Sequence, residues 1–316
     1  MFVNTEKKLI WKNGSFEKWD DSKIHVLSHT LHYGTGVFEG VRAYKTDCGP
    51  AIFRLKEHTK RLFNAAAKIN IKIPFSEEEI NKAQYEALIK NKLDEGYIRP
   101  IVYLGNEGLG LRAKDLSVNV SIAAWEWPSY MDPKAKQNGI SVMKSSYQQY
   151  ENPLHSGNKI IGTYFSNTMA LHEALDNGAD EAIMFDKNGF ISEGSGENIF
   201  IVKDGTIFTP TTEHCLNGIT RQSVIQIAKD QKYNVEEKDL GYDDLLNADE
   251  AFFTGTAVEI TPISRFDNNI INIGGRGKIT ENLQDKFQKI ISGNDCLLYT
   301  SPSPRDATLS RMPSSA

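Results

Sequence analysis

Ser156-Gly157-Asn158-Lys159-Ile160-Ile161-Gly162-Thr163-Tyr164 sets one lysine among small and apolar residues, and Phe190-Ile191-Ser192-Glu193-Gly194-Ser195-Gly196-Glu197-Asn198-Ile199-Phe200 follows it downstream. Lys159 is the only formally charged residue between Glu151 and Glu173. Desolvation lowers an ammonium pKa toward the range in which the amine is a nucleophile. A loop lysine that simply points to water is the competing reading. In the second stretch, two strand-like runs flank a glycine-punctuated bend. Glu193 ends the first run, where its carboxylate either faces a cleft or is a solvated turn residue.

Outward from this centre, the second half of the chain alternates between strand and helix. Ile140–Tyr150 reads as a strand and Tyr164–Leu175 as a helix stopped by Asn177-Gly178. Glu181–Phe185, Gly189–Ser192, Asn198–Lys203 and Thr206–Thr209 read as strands, the last two joined by a tight Asp204-Gly205 turn. A helix over Arg221–Gln231, a short strand over Glu250–Thr254 and an amphipathic helix over Thr280–Ile291 complete this half.

The first half opens on a hairpin around Asn13-Gly14. Gly36–Tyr44 and Ala51–Leu55 read as paired strands across the turn Thr46-Asp47-Cys48-Gly49-Pro50. A helix spans Lys56–Ile69, and Ser76 with Glu79 forms a capping box that opens a second helix toward Leu93. Tyr97–Leu104 and Val118–Trp127 read as strands. The expected organisation is therefore α/β in class, an α+β chain of two domains. A small domain covers 1–127, a linker 128–139 and a larger domain 140–293. Residues 294–316 are Ser- and Pro-rich without apolar periodicity, and are expected to be non-native or disordered.

Composition narrows the function classes. The 316 residues are 40% hydrophobic, enough for a substantial core, and the length suits two domains better than one. A net charge of -5 gives no polyanion-binding signature, so nucleic acid is not an expected partner. Cys48, Cys215 and Cys296 lack CxxC spacing, which argues against a disulfide framework or zinc site and fits a reducing cytoplasm. The start of the chain shows no apolar signal core, and no run approaches membrane-spanning length, so a soluble cytoplasmic protein is expected.

Three segments could together hold a phosphate. Gly218-Ile219-Thr220 precedes the Arg221 helix, with Thr220 read as its N-cap and the first amides turned toward an anion. Thr254-Gly255-Thr256-Ala257 leaves a strand through a glycine beside a hydroxyl. Arg61 offers a bidentate cation. Taken singly, each is also an ordinary helix cap, strand exit or solvated arginine.

The combination of Lys159, Tyr164 and Glu193-Gly194-Ser195-Gly196-Glu197-Asn198-Ile199-Phe200 resembles the fold-type IV pyridoxal-phosphate enzymes, most closely the branched-chain amino acid aminotransferases, from about Leu9 to about Gly293. The resemblance implies a cofactor, pyridoxal 5'-phosphate, held between two domains. Lys159 would bond to it covalently and then shuttle the substrate proton. Glu193 would pair with the ring nitrogen, and Tyr164 would hydrogen-bond the phenolate oxygen. Arg61, Ile219, Thr220, Gly255 and Thr256 would hold the phosphate. The substrate would meet Tyr33, Phe38, Tyr97, Arg99, Tyr130, Thr256 and Ala257, with Arg99 taking the distal carboxylate of glutamate. Part of that wall, Tyr33 included, would come from a neighbouring subunit, implying a homodimer or a higher oligomer.

The expected reaction is reversible amino transfer between L-leucine, L-isoleucine or L-valine and 2-oxoglutarate, with amino acids and 2-oxo acids as the only small-molecule partners. D-amino acid aminotransferase and aminodeoxychorismate lyase share the lysine and glutamate. The runs Tyr33-Gly34-x-Gly36-x-Phe38-Glu39-Gly40, Tyr97-x-Arg99-Pro100 and Gly255-Thr256-Ala257 favour the branched-chain enzymes over both. A silent cofactor-binding protein is the non-enzymatic alternative. Gly108-Leu109-Gly110-Leu111-Arg112-Ala113 imitates a dinucleotide fingerprint but is followed by strand-like sequence. His25, His29 and His32 lack accompanying carboxylates, so no metal is expected.

Overall fold

The structure is a computed structural model that describes residues 8–47, 49–127, 134–149, 157–271 and 274–293. Tyr130, the first half of the expected 128–139 linker, Cys48 and the 294–316 segment lie outside the described residues. The chain divides into two compact units, one of Met1–Pro128 with Lys289–Ala316, the other of Ser129–Gln288. Among the described residues no helix is long and apolar enough to cross a membrane.

In the first unit, β1 (Leu9–Lys12) and β2 (Ser15–Lys18) form a hairpin whose turn residues Asn13 and Gly14 take φ of 48° and 99°. Those positive angles are what an Asn-Gly pair supplies cheaply. A short helix α1 (His29–Tyr33) leads to β3 (Gly36–Phe38), β4 (Val41–Thr46) and β5 (Gly49–Ile52). Helices α2 (Leu55–Lys68) and α3 (Glu77–Lys90) precede β6 (Gly96–Leu104) and β7 (Val118–Trp125). The seven strands make an antiparallel sheet, ordered β2-β1-β7-β6-β4-β5, with β3 also on β6. The Ser76–Glu79 capping box is complete in both directions. Helix α3 packs on β1, β6 and β7 through Ile80, Ala83, Ala87 and Leu88.

One expected strand, Gly36–Tyr44, is instead two, β3 and β4. Both keep a single register along β6, Phe38 opposite Ile101 and Val41 opposite Ile98. The interruption faces Pro100: Glu39 donates its N–H to the Pro100 carbonyl at 2.9 Å, but a proline has no N–H to return.

The second unit begins with α4 (Ala135–Asn138), four helical residues inside the expected linker, followed by β8 (Ile140–Gln148). After a single 3-10 turn over Ile161–Thr163 come α5 (Tyr164–Asp176), β9 (Glu181–Phe185), β10 (Ile191–Gly194), β11 (Asn198–Lys203) and β12 (Thr206–Thr209). Then follow α6 (Ile219–Asp230), β13 (Val235–Glu237), α7 (Tyr242–Leu246), β14 (Glu250–Gly255), β15 (Glu259–Phe266), β16 (Asn269–Ile270) and α8 (Lys278–Ile291). The strands form a mixed sheet ordered β10-β9-β8-β15-β14-β11-β12-β13, with β16 on β15. β8 is parallel to both β9 and β15, as β12 is to β13.

Ile199, Ile201, Ala251, Phe253 and Ile263 are buried in the core of this sheet. Phe200 and Phe252 stack at 5.1 Å with an interplanar angle of 4°. Glu250, which opens β14, reaches the first turn of α8. Its carboxylate accepts from the N–H groups of Ile279 (3.0 Å) and Thr280 (2.8 Å) and from the Thr280 hydroxyl (2.7 Å). A Cβ on Gly277 would lie 2.0 Å from Glu250 Cδ, so only glycine lets the carboxylate in.

Candidate active site

Lys159 stands just before the 3-10 turn that starts α5. The turn is closed by the Thr163 hydroxyl donating to the Ile160 carbonyl at 2.8 Å. Across it, Lys159 Nζ donates to the Tyr164 hydroxyl at 2.7 Å and lies 5.1 Å from that ring's centroid. The ammonium is thus committed to a partner within the fold. Helix α5 is tied in turn to the glycine bend, because buried Asn167 donates from Nδ2 to the Ser195 carbonyl at 2.7 Å.

On that bend, the pairing of β10 with β9 slips between Ile191 and Glu193, so that Ser192 is extra and Glu193 falls opposite Met184. Such a bulge re-aims the next side chain. Glu193 is buried, and its carboxylate accepts from Gln149 Nε2 (2.8 Å), Asn198 Nδ2 (3.2 Å) and the Leu216 N–H (3.1 Å). A buried carboxyl surrounded by three donors is held as an anion. Neither Gln149 nor Asn198 was identifiable as a site residue from sequence. Asn198 at least adjoins the motif, whereas Gln149 carries no local signal because it precedes Glu193 by 44 residues.

Two further features flank the anion. Helix α6 starts earlier than expected, with Gly218 and not Thr220 as its N-cap. The displacement has a steric cause: a Cβ on Gly218 would meet Asn198 Oδ1 at 2.0 Å, so the glycine gives the asparagine its place against Glu193. Ile219 and buried Thr220 then occupy the first helical turn, whose amides have no acceptor within the helix. Gly255, Thr256 and Ala257 follow at the exit of β14, next to Thr254, whose buried Oγ1 has no hydrogen-bond partner among the described residues. A Cβ on Gly255 would crowd Val258 Cγ2 at 3.3 Å.

The remaining expected residues belong to the first unit. Arg61 is not a solvated helix arginine: its Nε and Nη2 donate to the two oxygens of Glu39 at 2.5 and 2.9 Å, and His58 Nδ1 lies 2.9 Å from the same carboxylate. Burial alone would raise the Glu39 pKa, but the Arg61 and His58 charges outweigh it and hold the carboxyl well below the usual range. Arg99 is sandwiched between rings, with its guanidinium 4.9 Å from the Phe38 centroid and 5.3 Å from that of Tyr97. Its Nη2 donates to the Tyr97 hydroxyl at 3.3 Å, while its Nε is buried without a partner among the described residues. Tyr97 stacks on Trp127 at 4.7 Å, and its hydroxyl fills the space that Gly40 leaves by lacking a Cβ. Tyr33 ends α1, 40% exposed, with its ring against His29 at 4.5 Å.

Comparison with known proteins gives one consistent set of relatives. Residues 36–266 match the family Amino-transferase class IV. The branched-chain-amino-acid aminotransferase of Pseudomonas aeruginosa is 50% identical over 286 residues, covering 90% of this chain and 93% of the relative. That of Escherichia coli K12 is 40% identical over 287 residues, with 90% and 93% covered. Among solved structures, the T.th. branched-chain amino acid aminotransferase complexed with N-(5'-phosphopyridoxyl)-L-glutamate superposes with a TM-score of 0.89 at 41% identity, over 93% of this chain and 97% of that one. The Escherichia coli enzyme superposes with a TM-score of 0.91 at 38% identity, over 94% and 99%.

Proposed function

The chain belongs to the class IV aminotransferases, and on that premise we propose that it catalyses reversible amino transfer between L-leucine, L-isoleucine or L-valine and 2-oxoglutarate, using pyridoxal 5'-phosphate. The observation that carries this reading is Glu193, a buried carboxylate fixed as an anion by Gln149, Asn198 and the Leu216 amide. It shares its unit with Lys159, whose amine is oriented by Tyr164. These residues fit the cofactor: a primary amine, a hydroxyl beside it, a fixed anion for a protonated ring nitrogen, and a helix N-terminus with an unpartnered buried hydroxyl at Thr254.

When bound, the cofactor supplies an aldehyde that engages a primary amine and a ring that accepts electron density. Lys159 is the base we assign to carry the proton at the reacting carbon, because a short hydrogen bond from Nζ to Tyr164 fixes where the amine points. Glu193 would keep a proton on the cofactor's ring nitrogen, and the donors of Gln149, Asn198 and Leu216 would keep Glu193 from taking that proton for itself. Ile219, Thr220, Gly255 and Thr256 would hold the phosphate through amides and hydroxyls. Arg61, pinned by Glu39, presents a guanidinium of fixed orientation to the same kind of anion.

Arg99 would accept a distal carboxylate, its unpartnered buried Nε supporting that reading. Phe38 and Tyr97 would provide an aromatic wall for a branched side chain. Tyr33 is exposed, as are Ile24, Val26, Leu27 and Leu31 just before it in the chain. That apolar run supports a homodimer in which a second copy covers it. A cytoplasmic location accords with the buried free thiol of Cys215.

The test is an assay of the purified chain with L-leucine, L-isoleucine, L-valine, D-alanine and aminodeoxychorismate, run beside Lys159→Ala. Turnover of the three branched-chain substrates with 2-oxoglutarate, abolished in the variant, is expected. Activity confined to D-alanine overturns the substrate assignment, and undiminished turnover in the variant overturns the role of Lys159.

A further inference from the structure

Beneath the bend that carries Glu193, two more carboxyl groups meet. Glu181 on β9 is fully buried, and Glu197, at the end of the bend, is nearly so. Oε1 of Glu181 accepts from the Ala182 N–H at 2.7 Å and the Ser195 N–H at 3.3 Å. Its Oε2 is buried with no hydrogen-bond partner among the described residues, and its carboxyl lies against the side chains of Ser195 and Glu197. Glu197 in turn accepts the Gly196 N–H through Oε2 at 3.0 Å. That same oxygen would lie 3.0 Å from a Cβ on Gly194, so the carboxyl sits directly under the residue after Glu193.

Two ionised carboxylates offer only acceptors to one another. With both charged, Glu181 Oε2 is an orphan and two anions repel in a dry interior, each condition costly. One proton removes both, turning the repulsion into a charge-assisted hydrogen bond. We infer that Glu181 and Glu197 hold a single proton between them at neutral pH, a positioning pair that carries one negative charge in place of two beneath Glu193.

The ionisable groups acting on Glu197 are Glu181 from β9, Glu193 from β10 and Lys159 from the segment before α5; β14 faces it with Gly255. Burial and the charge of Glu181 push the Glu197 carboxyl well above its ordinary range, with Glu193 adding to the effect and Lys159 opposing it. The function of the arrangement is to keep a third negative charge out of the wall where Glu193 would meet a protonated ring nitrogen. In that sense the inference rests on the proposed function and deepens it.

The test uses the full chain without added cofactor, so that its outcome is separate from whether amino transfer occurs. Infrared difference spectra at pH 7.5 are expected to show a protonated carboxylic C=O band that is lost in Glu197→Gln and also in Glu181→Gln, where the amide donates to the remaining carboxylate. The folded pair binds a proton that the unfolded chain releases above about pH 4.3, so its stability contribution falls as pH rises from there toward the raised folded value. The Tm of Glu197→Gln relative to the unsubstituted chain is therefore expected to climb by on the order of 5 °C between pH 5 and pH 8. Absence of the acid band in the unsubstituted chain overturns the inference. So does a Tm difference that stays flat or falls with pH, the behaviour of an ionised Glu197 paired with Lys159.

Discussion

Glu193→Gln should separate folding from chemistry. The carboxamide oxygen can stay where Glu193 Oε2 now accepts from Asn198 Nδ2 and the Leu216 N–H. The new NH2 then faces Gln149, whose own Oε1 is buried and without a partner among the described residues. Turning the Gln149 amide over replaces its donated bond with an accepted one, so the hydrogen bond between the two side chains is kept. What disappears is the charge. Hydrogen bonds to an ion exceed neutral ones by about 1 kcal/mol each, and the desolvation of that ion, now avoided, offsets most of the sum. The expected change in folding stability is under about 1 kcal/mol.

Turnover should behave differently, because an anion opposite a protonated nitrogen in a dry site contributes about 3–4 kcal/mol. At about 1.4 kcal/mol per decade, that is a 10²- to 10³-fold fall in kcat/KM for L-leucine. Chemical denaturation and steady-state kinetics on the same preparations decide the matter. A variant that keeps kcat/KM within tenfold of the parent refutes the role of the charge, and one that fails to fold refutes the hydrogen-bond exchange.

Gly218→Ala meets no backbone obstacle at φ -64°, yet its methyl would collide with Asn198 Oδ1 at 2.0 Å. A loss of about 2 kcal/mol in stability is expected, along with weaker turnover as Asn198 leaves Glu193; an unaltered Tm contradicts this. For Glu39, whose pKa is depressed by Arg61 and His58 in spite of burial, the stabilisation is complete above the unfolded value of about 4.3 and fades as pH falls below it. Glu39→Gln should therefore cost about 3 kcal/mol at pH 7 and progressively less toward pH 3. Urea melts at several pH values would show a constant difference if the reasoning is wrong.

Where local chemistry decides structure, the sequence could be read directly. Asn13-Gly14 and Asp204-Gly205 adopt the positive φ angles that their turns need, and Ser76 with Glu79 closes its capping box. The isolation of Lys159 from other charges and the glycines around Glu193 marked a site before any coordinates. Features that depend on partners remote in sequence were hidden. β15 escaped notice because Pro262 sits within it; pairing with β8 begins at Ile263 opposite Ile140, just past the proline. Nothing near Arg61 announces that Glu39, itself in contact with His58, will hold it, and nothing near Glu193 points back to Gln149. The true cap of α6 was obscured because Thr220 is the better capping residue by type, while the fold needed the smallest residue at 218.

The carboxylate of Glu250 has a bearing on how the protein is made. It opens β14, a strand between β11 and β15, but its hydrogen-bond donors arrive only with residues 279 and 280. During translation, the sheet of the second unit must wait with the Glu250 carboxyl lacking these donors until residues 279 and 280 have left the ribosome. Fragments that stop before α8 should accumulate as incompletely folded, protease-sensitive species, however intact the residues around Lys159 are.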